Sequence, residues 1–131
     1  MAEYDALPEP VEDIAAQVVD AAFHVHRELG PGLLERIYEL CLDHELSGRR
    51  LRVDRQVPVP VRYKDAMIDA DLRLDMLVGN NVIVEVKSVA ELLPVHQAQL
   101  LTYLKLSGHR LGFLINFNVH RFKTGIKRII R

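Results

Sequence analysis

The sequence predicts one α/β domain of the α+β type, with helices packed around a sheet in the order α-α-β-β-β-α-β-β. Three observations carry this. Apolar residues near the start recur at helical spacing and switch to a period of two after Leu51. Residues 71–87 read as two strands joined by Gly79-Asn80-Asn81, turn formers between β-branched and aliphatic runs. After a third helical stretch, residues 111–117 form an apolar run of strand length, as expected of a strand buried on both faces.

Residues 1–10 are polar, contain two prolines and predict a loose arm, leaving 11–131 as the single folded domain. The first helix begins near Val11. Its stripe is Ile14, Val18, Ala21, Ala22, Val25 and Leu29, widened by Val19 and Phe23. Gly30-Pro31-Gly32 ends it, since Gly30 can adopt a left-handed cap and Pro31 cannot continue the ladder. A second helix is expected from about Leu33 to Leu46, stopped by Gly48. Val53, Val57, Val59 and Val61 then alternate along a strand interrupted by Pro58 and Pro60, which places it at a sheet border. Lys64-Asp65 is a turn into Met67-Ile68, and the hairpin of residues 71–87 follows. The third helix spans about Glu91 to Leu106, with Gly108 as its stop. A loop from Asn118 to Gly125 leads to a last strand, Ile126 to Ile130.

Composition fits a water-soluble domain: 49% hydrophobic, 27% charged, net charge −1. No apolar stretch is long enough to span a bilayer and no leader opens the chain, so the cytoplasm is the expected compartment. A single cysteine, Cys41, excludes an internal disulfide and reads as a small core residue. His24 and His26 stand two apart on a helix, point apart, and make a poor zinc pair. From Arg110 onward the chain has basic residues and no acidic ones. A solvated edge is the plainer reading of Arg110, Arg121, Lys123, Lys127, Arg128 and Arg131, and a basic patch the sharper one.

The candidate chemistry lies in the hairpin. Leu72, Leu74, Met76, Val78, Val82, Val84 and Val86 should share an apolar face, with Asp75, Glu85 and Lys87 on the other. A three-residue loop pairs Val78 with Val82 and sets Asp75 opposite Glu85. Facing carboxylates repel across a ladder, and a divalent cation would turn that repulsion into coordination. Glu35 and Tyr38 share a face of the second helix; His96, Gln99 and Tyr103 share one of the third.

The order helix Glu, strand Asp, strand Glu-x-Lys, helix Gln-x-x-x-Tyr resembles the PD-(D/E)xK nuclease superfamily, whose restriction-endonuclease-like core is a mixed sheet flanked by helices. More narrowly it is similar to the family named after its GxxExxY motif, here Gly32-Leu33-Leu34-Glu35-Arg36-Ile37-Tyr38. The likeness spans about Val11 to Ile130; Leu74 stands where many members have proline. It implies a Mg²⁺- or Mn²⁺-dependent nuclease. Asp75, Glu85 and the Val86 carbonyl would hold the cation, and Glu35 would reach it directly or through water. Lys87 would act on the attacking water or the phosphate, with Gln99 and Tyr103 supporting the site. The expected partner is nucleic acid, DNA ahead of RNA, with no membrane; a second copy or a protein partner is left open. The competing expectation is a catalytically silent nucleic-acid- or protein-binding module on the same fold.

Overall fold

The computed structural model describes residues 6–131. Helix α1 (Glu9–Leu29) starts directly after Pro8, with Pro10 in its first turn, where a missing N–H costs no ladder bond. The expected arm is therefore shorter than ten residues on its C-terminal side, and residues 1–5 lie outside the described ones. Gly30 closes α1 with φ 68° but ψ −173°, so the backbone has the expected sign of φ without the left-handed helical cap. Helix α2 (Glu35–Gly48) begins two residues later than expected and incorporates Gly48; its cap is Arg49.

The proline-bearing segment is two strands, not one. β1 (Val53–Pro58) belongs to the main sheet and lies at its border. β2 (Val61–Tyr63) pairs only with β3 (Ala66–Ile68), through the Lys64-Asp65 turn. Pro58 and Pro60 offer no N–H to a ladder, which explains the break. The element order is accordingly α-α followed by five strands, a helix and two strands, longer by one small hairpin than the sequence suggests, with a 3-10 turn (Phe122–Thr124) inside the expected last loop.

β4 (Arg73–Val78), β5 (Val82–Lys87), β6 (Leu111–Asn116) and β7 (Ile126–Ile130) complete a five-stranded sheet in the order β1-β4-β5-β6-β7. β5 and β6 run parallel and the other neighbours antiparallel, so the sheet is mixed. The parallel pair requires a crossover, supplied by α3 (Pro94–Ser107), which Gly108 caps in the left-handed conformation as expected. α3 starts at Pro94, three residues later than its periodicity suggested, because proline suits the first helical turn.

Two cores flank the sheet. α1 and α2 bury Val18, Ala22, Tyr38 and Leu42 against Met76, Val84, Phe113 and Phe117. α3 buries Leu100 and Leu104 against Leu74, Leu77, Ile83 and Leu114 on the opposite face. Every residue of β6 is buried, as expected of the strand between two helical layers. One expectation fails: Leu72 and Leu74 pack with Leu77 in the α3 core, not with Met76 and Val78. The alternation of β4 slips between Leu74 and Met76. Gln56, between the residues paired with those two, has φ 53°, and β4 has by then parted from β5.

Candidate metal centre

The Gly79-Asn80-Asn81 loop sets the expected register, Val78 opposite Val82, continuing to Met76 opposite Val84. There the regular pairing of β4 and β5 ends, and side chains take over. The Asp75 N–H donates to Glu85 Oε2 at 2.8 Å, and the Val86 N–H donates to Asp75 Oδ2 at 2.9 Å. Each carboxylate thus caps an amide of the other strand, satisfying N–H groups that the parted ladder leaves behind. Among the described residues, Asp75 Oδ1 and Glu85 Oε1 accept no hydrogen bond, and no buried side-chain oxygen lacks a partner, so these two atoms reach solvent.

The Lys87 carbonyl accepts from Phe117 N–H at 3.0 Å on the β6 side. Successive residues of a strand alternate the direction of their backbone groups, so Val86 turns its C=O as well as its N–H toward β4, into the same opening. Two carboxylate oxygens and a carbonyl oxygen form a hard donor set that suits a small divalent cation retaining several waters.

The electrostatics agree. Glu85 is 6% exposed, and burial, followed by repulsion from Asp75, pushes its carboxyl up to about 8. Burial pushes Asp75 up as well, against the pull of the Val86 N–H. Lys87 favours the charged form of both carboxylates, but not enough to offset burial. Tyr103, half-buried on α3, has its hydroxyl raised by burial and then by the charges of Glu85 and Asp75, so it remains a donor.

Glu35 stands at the first turn of α2, where its Oε2 lies 3.4 Å from the Ser88 N–H, one residue past Lys87. It is near enough to raise Asp75, yet it does not close a triad. Among the described residues, no three His, Cys, Asp or Glu side chains converge as a metal-binding group. On α3, Tyr103 approaches the carboxylates, and Gln99, one turn earlier, is exposed with no side-chain hydrogen bond among the described residues. His96 is occupied locally, its Nδ1 accepting from the Leu93 N–H at the start of α3.

Two residues escaped the sequence reading. Glu39, 6% exposed and one turn after Glu35, accepts from Arg55 and from Gln56, and its charge raises both Asp75 and Glu85. Its spacing of four from Glu35 was visible; its burial was not. Asn116, opposite Lys87, binds both polar groups of the Val89 backbone and so anchors the chain leaving β5. Its one signal was an amide near the end of an apolar run. The GxxExxY segment has a plain structural part too: Tyr38 donates to Gly30 O, accepts from Leu33 N–H and stacks on Phe117 with ring centroids 4.7 Å apart.

Parted strands that present Asp, Glu and Lys to one opening, between helices on both faces of a mixed sheet, coincide with a match to the PD-(D/E)XK nuclease superfamily over residues 12–129. The chain belongs to that superfamily. Its fold is restriction-endonuclease-like, and nucleases of the superfamily generally use divalent metals on nucleic-acid substrates. No curated protein and no solved structure matches the chain. No helix among the described residues is long and apolar enough to cross a membrane.

Proposed function

We propose that this superfamily member is a Mg²⁺- or Mn²⁺-dependent nuclease of the GxxExxY type, hydrolysing phosphodiester bonds in nucleic acid, DNA ahead of RNA. The observation that carries the reading is the reciprocal pair of hydrogen bonds between Asp75 and Glu85. It turns one oxygen of each carboxylate to the backbone and leaves Oδ1 and Oε1 to a cation, with Lys87 two residues beyond. When bound, the cation supplies a Lewis acid for the phosphoryl oxygen and lowers the pKa of its water. Asp75, Glu85 and the Val86 carbonyl would hold it, and Glu35 would reach it from α2 directly or through water. Lys87 orients the attacking water and offsets charge on the phosphate. Tyr103 donates a hydrogen bond to the substrate backbone from the α3 side, and Gln99, exposed one turn earlier, supports the substrate there.

The test is cleavage of labelled single- and double-stranded DNA and RNA by purified protein with Mg²⁺, Mn²⁺ or EDTA. Lys87→Ala should abolish cleavage while sparing metal binding; Glu85→Gln should lose both. A wild-type protein that binds nucleic acid but cuts nothing under either cation would support the silent binding module. Cleavage that persists undiminished in Lys87→Ala would identify a contaminant and refute the assignment.

A further inference from the structure

The basic residues of the C-terminal tail do not form one patch. Arg131 lies at the hairpin end of the sheet, its N–H bonded to Arg110 O, whereas Asp75 and Glu85 occupy the other end. Arg128 is engaged by Glu12 at 2.7 Å. Arg121 and Lys123 join residues from a different part of the chain. With Arg27 of α1 and His120 they line a groove of about 690 Å³, floored by Phe23 and Phe122.

No Asp or Glu lines this groove, and among the described residues Arg27, Arg121 and Lys123 form no ion pair. Arg27 instead lies over the ring of Phe23, its guanidinium carbon 5.7 Å from the centroid. Phe23 is 43% exposed, large for a phenylalanine beside a core. The wall of residues 118–123 is held in place by His26, whose Nε2 donates to Val119 O at 2.6 Å. Chain connections relate the groove to the end of the sheet that carries the candidate centre. Phe117 and Asn118 continue β6 past Asn116, which stands opposite Lys87. Gly30 and Pro31, lining the groove, lead directly into the segment whose Leu33 O accepts from Ser88.

We propose that this groove receives the phosphodiester backbone of the nucleic-acid strand that enters or leaves the candidate centre. The choice of nucleic acid rests on the nuclease reading above. Unpaired cations along a carboxylate-free channel attract a polyanion and release its counterions, and an exposed ring beneath an arginine is a platform on which a base can stack. The shared chemistry is the phosphodiester chain, single-stranded or duplex.

Binding of fluorescent oligonucleotides to the full chain, in EDTA so that nothing is cut, tests the groove separately from catalysis. Replacing Arg27, Arg121 and Lys123 together by alanine should weaken binding roughly tenfold or more. It should also flatten the plot of log affinity against log salt by about two units, at about 0.7 per phosphate contact on a single strand. Arg121→Glu alone should move both quantities in the same direction, and Arg131→Ala should move neither. A preference for single strands that Phe23→Leu removes assigns a stacked base; indifference to Phe23→Leu assigns backbone contact alone. Unchanged affinity and slope in both groove variants overturn the proposal, as does a wild type that binds no oligonucleotide. Competition by polyglutamate as strong as by oligonucleotide overturns it too. A protein that binds through the groove yet cuts nothing with Mg²⁺ or Mn²⁺ refutes the nuclease reading and leaves the groove standing.

Discussion

Glu85 makes the folded protein sensitive to pH in an unusual direction. Its carboxyl is raised to about 8 in the folded state from an ordinary 4.5, so between those values the folded state binds the proton that the unfolded chain has released. Stability therefore falls as pH rises through this window, and is greatest on the acid side of it. At about 1.4 kcal/mol per unit, the full shift has a ceiling of roughly 5 kcal/mol. Asp75 shares the penalty: burial raises its own carboxyl, and its charge is the second cause of the Glu85 shift. For a domain of this size each kcal/mol moves the melting temperature by about 3 °C, so metal-free protein should melt on the order of 10 °C lower at about pH 9 than at about pH 5. Glu85→Gln keeps an oxygen to accept the Asp75 N–H but cannot ionise, and should remove most of that fall. Thermal melts of both proteins in EDTA across this range measure it. Mn²⁺ should restore wild-type stability on the alkaline side and leave the variant unmoved, since a ligand of the folded state alone stabilises it. Equal pH slopes in the two proteins, or a wild type that gains stability toward pH 9, would refute the reasoning.

Three further outcomes are expected. Asp75→Asn should leave the metal-free protein as stable as wild type or more so, while removing most of the rise in melting temperature that Mg²⁺ or Mn²⁺ produces; an unaltered rise would place the cation elsewhere. Glu39→Ala should lower stability by about 1–3 kcal/mol in chemical denaturation, because it strands Arg55 and Gln56 without their acceptor. Glu39→Gln, which keeps an acceptor, should cost less than Glu39→Ala. Tyr38→Phe retains the stack on Phe117 but loses the hydroxyl that joins Gly30 O to Leu33 N–H, and should cost about 1–2 kcal/mol by the same measurement.

What was legible in the sequence was mostly local. Alternation and a turn of Gly and Asn specified the Val78–Val82 register, because slipping by one residue would turn Met76, Val78, Val82 and Val84 out of the core. That register alone brings Asp75 toward Glu85. Gly108 and the continuous run of β6 were equally plain, since a left-handed cap and a doubly buried strand each demand particular residue types. The break at Pro58 and Pro60 could be read as a border but not as a separate hairpin, because proline removes a donor without saying where the chain turns next.

The tertiary structure decided the rest. Period-two reasoning put Leu74 with Met76, and the slip in β4 arises only where that strand leaves β5 while remaining paired to β1. Glu39 counts as buried and paired only once β1 brings Arg55 and Gln56 to α2, sixteen and seventeen residues away in sequence. Helical spacing placed Glu35 and Gln99 on suitable faces, but only docking set Glu35 on the Ser88 N–H, near enough to act on Asp75, and left Gln99 exposed on α3. The tail's basic residues were legible as a group by charge. Strand register then sent Arg131 to one end of the sheet and left Arg121 and Lys123 beside Arg27 at the other. Spacing fixes neighbours within an element to a few ångströms; which elements meet depends on burying two apolar faces of one sheet at once, and no single segment carries that information.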